Sequence, residues 1–159
     1  MRLALRRAWL ALITMGLVAL VVAATMVSVM ATPPVNTVST PLARGTNTSS
    51  GTIPFRQGTD VVVVKVTFAA GGSTGWHEHP GGAIVTVAAG QITVYLSVGN
   101  HCDVTLYTAG QSFIERPGEV HVAVNTGTTQ AIAYVTFPSV PVGGAARISD
   151  PDPGTCPGI

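Results

Sequence analysis

Two imidazoles lie two residues apart, between glycine-rich turns, in Gly71-Gly72-Ser73-Thr74-Gly75-Trp76-His77-Glu78-His79-Pro80-Gly81-Gly82-Ala83. In an extended chain successive side chains alternate faces, so His77 and His79 share one face and Glu78 takes the other. Two imidazoles on one side can grip one metal ion. His121 opens another apolar segment far along the chain, where a folded sheet can bring it alongside the pair. Three neutral imidazoles from two strands make a ligand set for zinc, copper, nickel or non-heme iron, with coordination positions left for water or substrate.

The spacing of these residues resembles the cupin superfamily. The family's first motif runs Gly, five residues, His-x-His, three or four residues, Glu, six residues, Gly. Gly71, His77, His79 and Gly90 fall in that register, and Ala83 occupies the glutamate slot. The second motif runs Gly, five residues, Pro-x-Gly, two residues, His, three residues, Asn. Gly110, Gly118, His121 and Asn125 match it, with Arg116 in the proline slot and Pro117 one place later. The resemblance covers about residues 53–138. It implies an all-β fold, the cupin double-stranded β-helix, which is a jelly-roll barrel of two sheets with a metal site inside. It also implies His77, His79 and His121 as the ligands of one divalent transition metal, Zn, Fe, Ni or Cu.

Three-histidine cupins without the glutamate include iron dioxygenases acting on thiols or diketones, so the resemblance implies a metal-dependent enzyme on a small molecule. The alternative is a non-catalytic extracytoplasmic module that binds a small ligand, or serves a cell-surface assembly, without metal. No catalytic residue can be named. Glu78, Glu115 and Glu119 are the carboxylates that could stand in for the missing one, with Glu78 pointing away if its stretch is extended. A glutamate at position 83 would complete the family's usual four-ligand set. Cupins often dimerise through sheet edges, and a homodimer stays open.

These ligands need strands to position them, and strand signals recur from Thr59 onward with turn residues between them. In Val61 to Phe68, Lys65 and Thr67 fix the phase and put Val62, Val64, Val66 and Phe68 on the buried face. Ile84 to Ala88 makes the next strand. After the Gly90-Gln91 turn, Ile92, Val94, Leu96 and Val98 alternate with Gln91, Thr93, Tyr95 and Ser97, a half-buried strand. Val104 to Thr108 and Phe113 to Arg116 are shorter strands. Past the turn at Pro117-Gly118-Glu119, His121, Ala123 and Asn125 share one face, and residues 129 to 137 supply a last strand. A short early strand around Val38 to Arg44 would pair with a barrel edge. Trp76 reads as a ring covering the barrel mouth or packing in the core, with ligand stacking as the alternative. His101, beside Asn100, reads as a hydrogen-bonded residue of a turn.

The chain has 159 residues, enough for one domain with appendages. Residues 1–31 read as a signal peptide or membrane anchor: Arg2, Arg6 and Arg7 precede a charge-free run from Ala8 to Met30. As a helix that run is about 34 Å long, enough for a bilayer core of about 30 Å. Uncleaved, residues 8–30 would hold the protein to the membrane. Cleaved after Val29-Met30-Ala31, the protein would be secreted. Residues 32–52 are a Thr/Ser/Pro-rich linker, and 139–159 a Pro/Gly-rich tail. Beyond residue 31, five cations face seven acids, a net charge of −2 that lacks the electrostatic footprint of nucleic-acid binding. An even cysteine count in an exported chain argues for a Cys102–Cys156 disulfide, against two free thiols or a metal role for Cys102. The arginines should stay in the cytoplasm and the domain should face outward. A reporter enzyme fused after Ile159 is therefore expected to be active only outside the cytoplasm, and activity confined to the cell interior would contradict this reading.

Overall fold

The computed structural model describes residues 35–159, so the expected N-terminal signal or membrane segment lies outside the described residues. Thr40 to Ile159 form one compact unit. Ten strands follow one another: β1 (Thr46–Asn47), β2 (Asp60–Phe68), β3 (His77–Glu78), β4 (Ala83–Ala89), β5 (Gln91–Val98), β6 (His101–Thr108), β7 (Gln111–Glu115), β8 (His121–Val124), β9 (Ala131–Val140) and β10 (Ile148–Ser149). They make two five-stranded sheets, ordered β1-β7-β4-β9-β2 and β10-β3-β8-β5-β6. From β2 to β5 the chain changes sheet at every step, and it does so again between β6 and β10. Alternation of this kind closes two facing sheets into a jelly roll, the all-β double-stranded β-helix expected from the motifs.

The register follows from the apolar pattern, since a slip of one residue would turn every inward side chain outward. Along β2, Val62, Val64, Val66 and Phe68 turn toward the core and Val61, Val63, Lys65 and Thr67 toward solvent, as the alternation predicts. Val85 and Val87 of one sheet meet Ile92 and Val94 of the other in a shared core with Phe113, Val135 and Phe137. Full burial of a Val or Ile side chain is worth about 1.5–3 kcal/mol. Gly90 makes the crossing from β4 to β5. Its φ is +70°, and a Cβ there would lie 2.7 Å from the Gln130 carbonyl oxygen. Only glycine combines that left-handed backbone with so close an approach.

Both sheets draw a strand from outside residues 53–138. The early strand is a two-residue pairing of Thr46 and Asn47, parallel to β7, rather than one over 38–44. Ser49 Oγ extends this edge by accepting the Ile114 amide hydrogen bond. At the other end β10 lies antiparallel to β3, pairing Ile148 with Glu78 and Ser149 with His77. Strands this short carry no periodicity, and the sheet edge, not their own sequence, holds them extended.

The tail beyond β10 is fastened by the Cys102–Cys156 disulfide, whose Cα atoms are 5.1 Å apart. Cys156 is buried in a second apolar cluster with Trp76 and Val122. Trp76 is thus a packing residue, with its ring among these side chains. The bridge spans a sequence separation of 54 residues, for which chain entropy gives at most about 4 kcal/mol of stabilisation. Denaturant unfolding with and without reductant should show a midpoint lowered on reduction by an amount within that limit. An unchanged midpoint would mean the tail is held by packing alone.

Candidate metal centre

The three histidines predicted as ligands converge. His77 and His121 are direct cross-strand partners of the β3–β8 pair, with ring centroids 4.4 Å apart. His79 follows on the same face, 4.8 Å from His77 and 5.3 Å from His121 by ring centroids. All three are buried, while Glu78 between the pair faces the other way and is half-buried. One ligand nitrogen from each lies within 4.8 Å of the others.

Each ring is fixed through its outer nitrogen. Nδ1 of His77 meets the Gly75 carbonyl at 2.8 Å, Nδ1 of His79 the Ala146 carbonyl at 2.8 Å, and Nδ1 of His121 the Glu119 carbonyl at 2.7 Å. A carbonyl oxygen can only accept, so in all three rings Nδ1 carries the proton and donates it. Nε2 of each neutral ring is then a bare lone pair directed into the site. Metal-binding histidines are commonly held this way, with the second ring nitrogen donating to a main-chain carbonyl. Nε2 of His121 is buried and makes no hydrogen bond. An orphaned acceptor of this kind among three converging imidazoles fits a divalent transition metal.

Turns position these carbonyls. The Gly71–Gly75 loop is tied to β8 by hydrogen bonds from the Gly71 amide to the Asn125 carbonyl and from the Thr74 amide to the Ala123 carbonyl. Asn125, fully buried, donates from Nδ2 to the carbonyls of Ala69 and Thr129, and so fastens the loops on either side. The motif asparagine therefore acts on the frame and not on the ligand set. His101 stands apart, exposed on β6 beside Asp103 at 3.4 Å.

Of the three carboxylates considered as stand-ins, one enters the site. Glu115, at the end of β7, is buried; its Oε1 lies 3.1 Å from His121 Nε2 and its Oε2 3.3 Å from His79 Nε2. Glu119 borders the smaller cavity beside His121 but is occupied by Arg116, which it meets at 2.8 Å. The signal for Glu115 was present in the strand period, because Phe113 is a core residue and Glu115 shares its face. Nothing in the sequence marked Ala146, since its carbonyl reaches His79 only through the pairing of β10 with β3.

The site opens into a cavity of about 470 Å³. Its wall is mostly apolar, including Val64, Val66, Phe68, Ile92, Val135 and Phe137, with His77, His79 and Glu115 as the polar patch. Arg147 lies exposed at the lining and donates to the Thr74 carbonyl at 2.6 Å. On the far side His121 and Glu115 line a smaller cavity of about 130 Å³.

Burial and the neighbouring His121 ring pull the His77 pKa down to about 4. Burial would do the same to His121, but the Glu115 carboxylate beside it raises its pKa above the ordinary value. Burial pushes the Glu115 carboxyl up, and the two imidazoles outweigh this and hold it well below the usual carboxylate range. At neutral pH His77 is therefore ready to bind, while at His121 the neighbouring carboxylate favours a proton that competes with a metal. Apparent zinc affinity should fall toward tenfold per pH unit as pH drops through the raised His121 pKa, a window that opens above the ordinary histidine range, with up to one proton released per ion bound. Isothermal titration in buffers of different ionisation enthalpy measures that proton, and a pH-independent affinity would contradict the assignment.

The cupin-domain family profile matches residues 64–137. A Klebsiella pneumoniae subsp. pneumoniae MGH 78578 protein described as uncharacterized, conserved and carrying a double-stranded β-helix domain is 31% identical, over 59% of this chain and 77% of its own, with a TM-score of 0.47. An oxalate oxidase structure is 29% identical over 56% of this chain and 45% of its own, with a TM-score of 0.50. Bacillus subtilis oxalate decarboxylase, in a structure concerned with its Mn(II) centres, is 18% identical over 57% of this chain and 24% of its own, with a TM-score of 0.51. The present chain spans less than half the length of these oxalate oxidase and decarboxylase chains. No curated protein matches the sequence.

Proposed function

On the premise that residues 64–137 are a cupin domain, we propose that the chain holds one divalent transition metal on His77, His79 and His121 and acts there as an enzyme on a small, largely apolar molecule. The observation that carries this reading is the set of three buried imidazoles with one ligand nitrogen each within 4.8 Å of the others, while each Nδ1 proton is donated to a main-chain carbonyl. A bound divalent ion would supply Lewis-acid polarisation of a ligand oxygen or nitrogen. The residues of the chain do the rest. Val64, Val66, Phe68 and Phe137 take the apolar body of the ligand and exclude water, and Arg147 offers a fixed cation at the exposed side.

A cavity of about 470 Å³ lies within the range of roughly 300–1,000 Å³ usual for small-molecule sites. Oxalate, named for two of the structural neighbours, has no apolar body to fill the mostly apolar wall of this cavity. The ligand we infer has one polar end for the metal and an aliphatic or aromatic body. The domain is proposed to work outside the cytoplasm, secreted or anchored, a setting supported by the Cys102–Cys156 bridge and the three arginines ahead of the apolar run.

A second reading, ligand binding without metal and without turnover, draws on Glu115. A proton held between this carboxylate and His121 or His79 would satisfy the buried charge by itself. Metal analysis of protein secreted by its own host separates the two readings, followed by turnover and oxygen-consumption assays on small ketones, thiols and aromatic acids, with oxalate alongside. The enzyme reading expects about one ion per chain and activity lost on chelation. His121→Ala should weaken metal binding by more than the 10- to 100-fold typical of losing a ligand's supporting hydrogen bond. A metal-free protein with unchanged melting temperature in every ion would favour the second reading.

A further inference from the structure

We propose that Glu115 is the fourth ligand of the metal centre, a carboxylate supplied by strand β7 in place of the one the first cupin motif puts on β4. The proposal rests on the metal reading above and concerns which strand completes the donor set.

Ala83, in the motif's glutamate slot, and Glu115 are direct Cα partners in the antiparallel β4–β7 ladder. Residues directly opposite in such a pair project to the same face, with Cβ atoms about 4.5–5.5 Å apart. A carboxylate side chain starting from either position therefore addresses the same volume. Ala83 is fully buried, so a carboxylate carried there would also lie in the interior. The motif's acid position thus holds a methyl group, and the residue paired with it across the ladder holds the acid.

The chemistry at the carboxylate points the same way. Its ion-pair neighbours among the described residues are the Nε2 atoms of His79 and His121. Both rings have committed their protons at Nδ1. With both rings neutral, the carboxylate faces two nitrogen lone pairs, an arrangement that calls for a cation among them, a proton or a metal ion. The separations also suit a shared ion. Ligands about 2.1 Å from a metal lie about 3.0 Å apart at a right angle and about 3.4 Å apart at the tetrahedral angle. The observed 3.1 and 3.3 Å fall between these limits.

Glu78 and Glu119 cannot take this place. Glu78 faces away from the three rings, and Glu119 accepts hydrogen bonds from the Arg116 amide and guanidinium. A set of three nitrogens and one oxygen is harder than three nitrogens alone, so Glu115 should matter more for manganese(II) than for zinc.

The test is a competition titration of the metal-free full domain with manganese(II) and zinc, with manganese(II) also followed by electron paramagnetic resonance. Wild type is compared with Glu115→Gln, the double variant Ala83→Glu/Glu115→Ala, and His121→Ala, each checked for fold by circular dichroism. Glu115→Gln should weaken manganese(II) at least about tenfold and zinc by less, with an altered manganese(II) spectrum. The double variant should restore affinity to within a few-fold of wild type and bring the spectrum back toward it. Wild-type affinities and spectrum in Glu115→Gln would overturn the proposal while leaving the three-histidine site in place, provided His121→Ala is weakened. Should Glu115→Gln not fold, the double variant decides, since recovery requires the carboxylate to act from the facing strand and a loss matching His121→Ala rejects it. Failure of wild type to bind either ion would reject the metal reading itself, and with it this proposal.

Discussion

Three hydrogen bonds from Nδ1 to main-chain carbonyls fix what this barrel can do. They choose the tautomer of His77, His79 and His121 before any ligand arrives, and they turn three separate side chains into one donor set. The carbonyls belong to Gly75, Glu119 and Ala146, two of them in turns entering site strands and the third in the segment leading to β10. Glycine turns, the Asn125 bracket and the C-terminal strand are thus parts of the site although none of them touches its centre. A shift in any of these loops would release a ring, and a free imidazole could present either nitrogen.

The remaining constraint is electrostatic. Four titratable side chains, His77, His79, His121 and Glu115, are buried beside a core of valine, isoleucine, phenylalanine and alanine. Such groups are costly to bury unless their hydrogen-bonding and charge requirements are met. The outer nitrogens are met by the frame, and the inner ones are not. The opposite pKa displacements of His77 and His121, two rings on paired residues, express this imbalance: one ring lies beside the carboxylate and the other does not. A cation at the centre answers all four groups together, whereas a single proton answers only the pair it bridges.

Much of this was legible in the sequence because it is periodic. The strand period of two placed Val62, Val64, Val66 and Phe68 inward, put His77 and His79 on one face and turned Glu78 away. Motif spacing brought His121 to the same site, and the cysteine pairing followed from the even count and the expected compartment. What escaped was set by pairing between strands. Glu115 was one of three candidate carboxylates until the β4–β7 ladder placed it opposite Ala83. In the Pro/Gly-rich tail the sheet edge extends Ile148 and Ser149, and the expected disulfide carries Cys156 into an apolar cluster. Two-residue strands have no pattern to read, and their positions are decided by the edge they meet.

That same dependence on pairing explains how a ligand can leave its motif without the site being lost. In a sheet, function attaches to a point in space above the ladder, and two positions reach that point, one from each strand. A linear motif records only one of them. Alanine in the glutamate slot is therefore ambiguous when read along the chain, since it fits equally a barrel that has dropped its fourth ligand and one that has moved it. The ladder gives a way to choose, because the partner of the alanine is a buried carboxylate that lies 3.1 and 3.3 Å from two of the three imidazoles. Reading cupin-like chains across the β4–β7 pair, and not along β4 alone, is the physically grounded way to ask whether the acid is present.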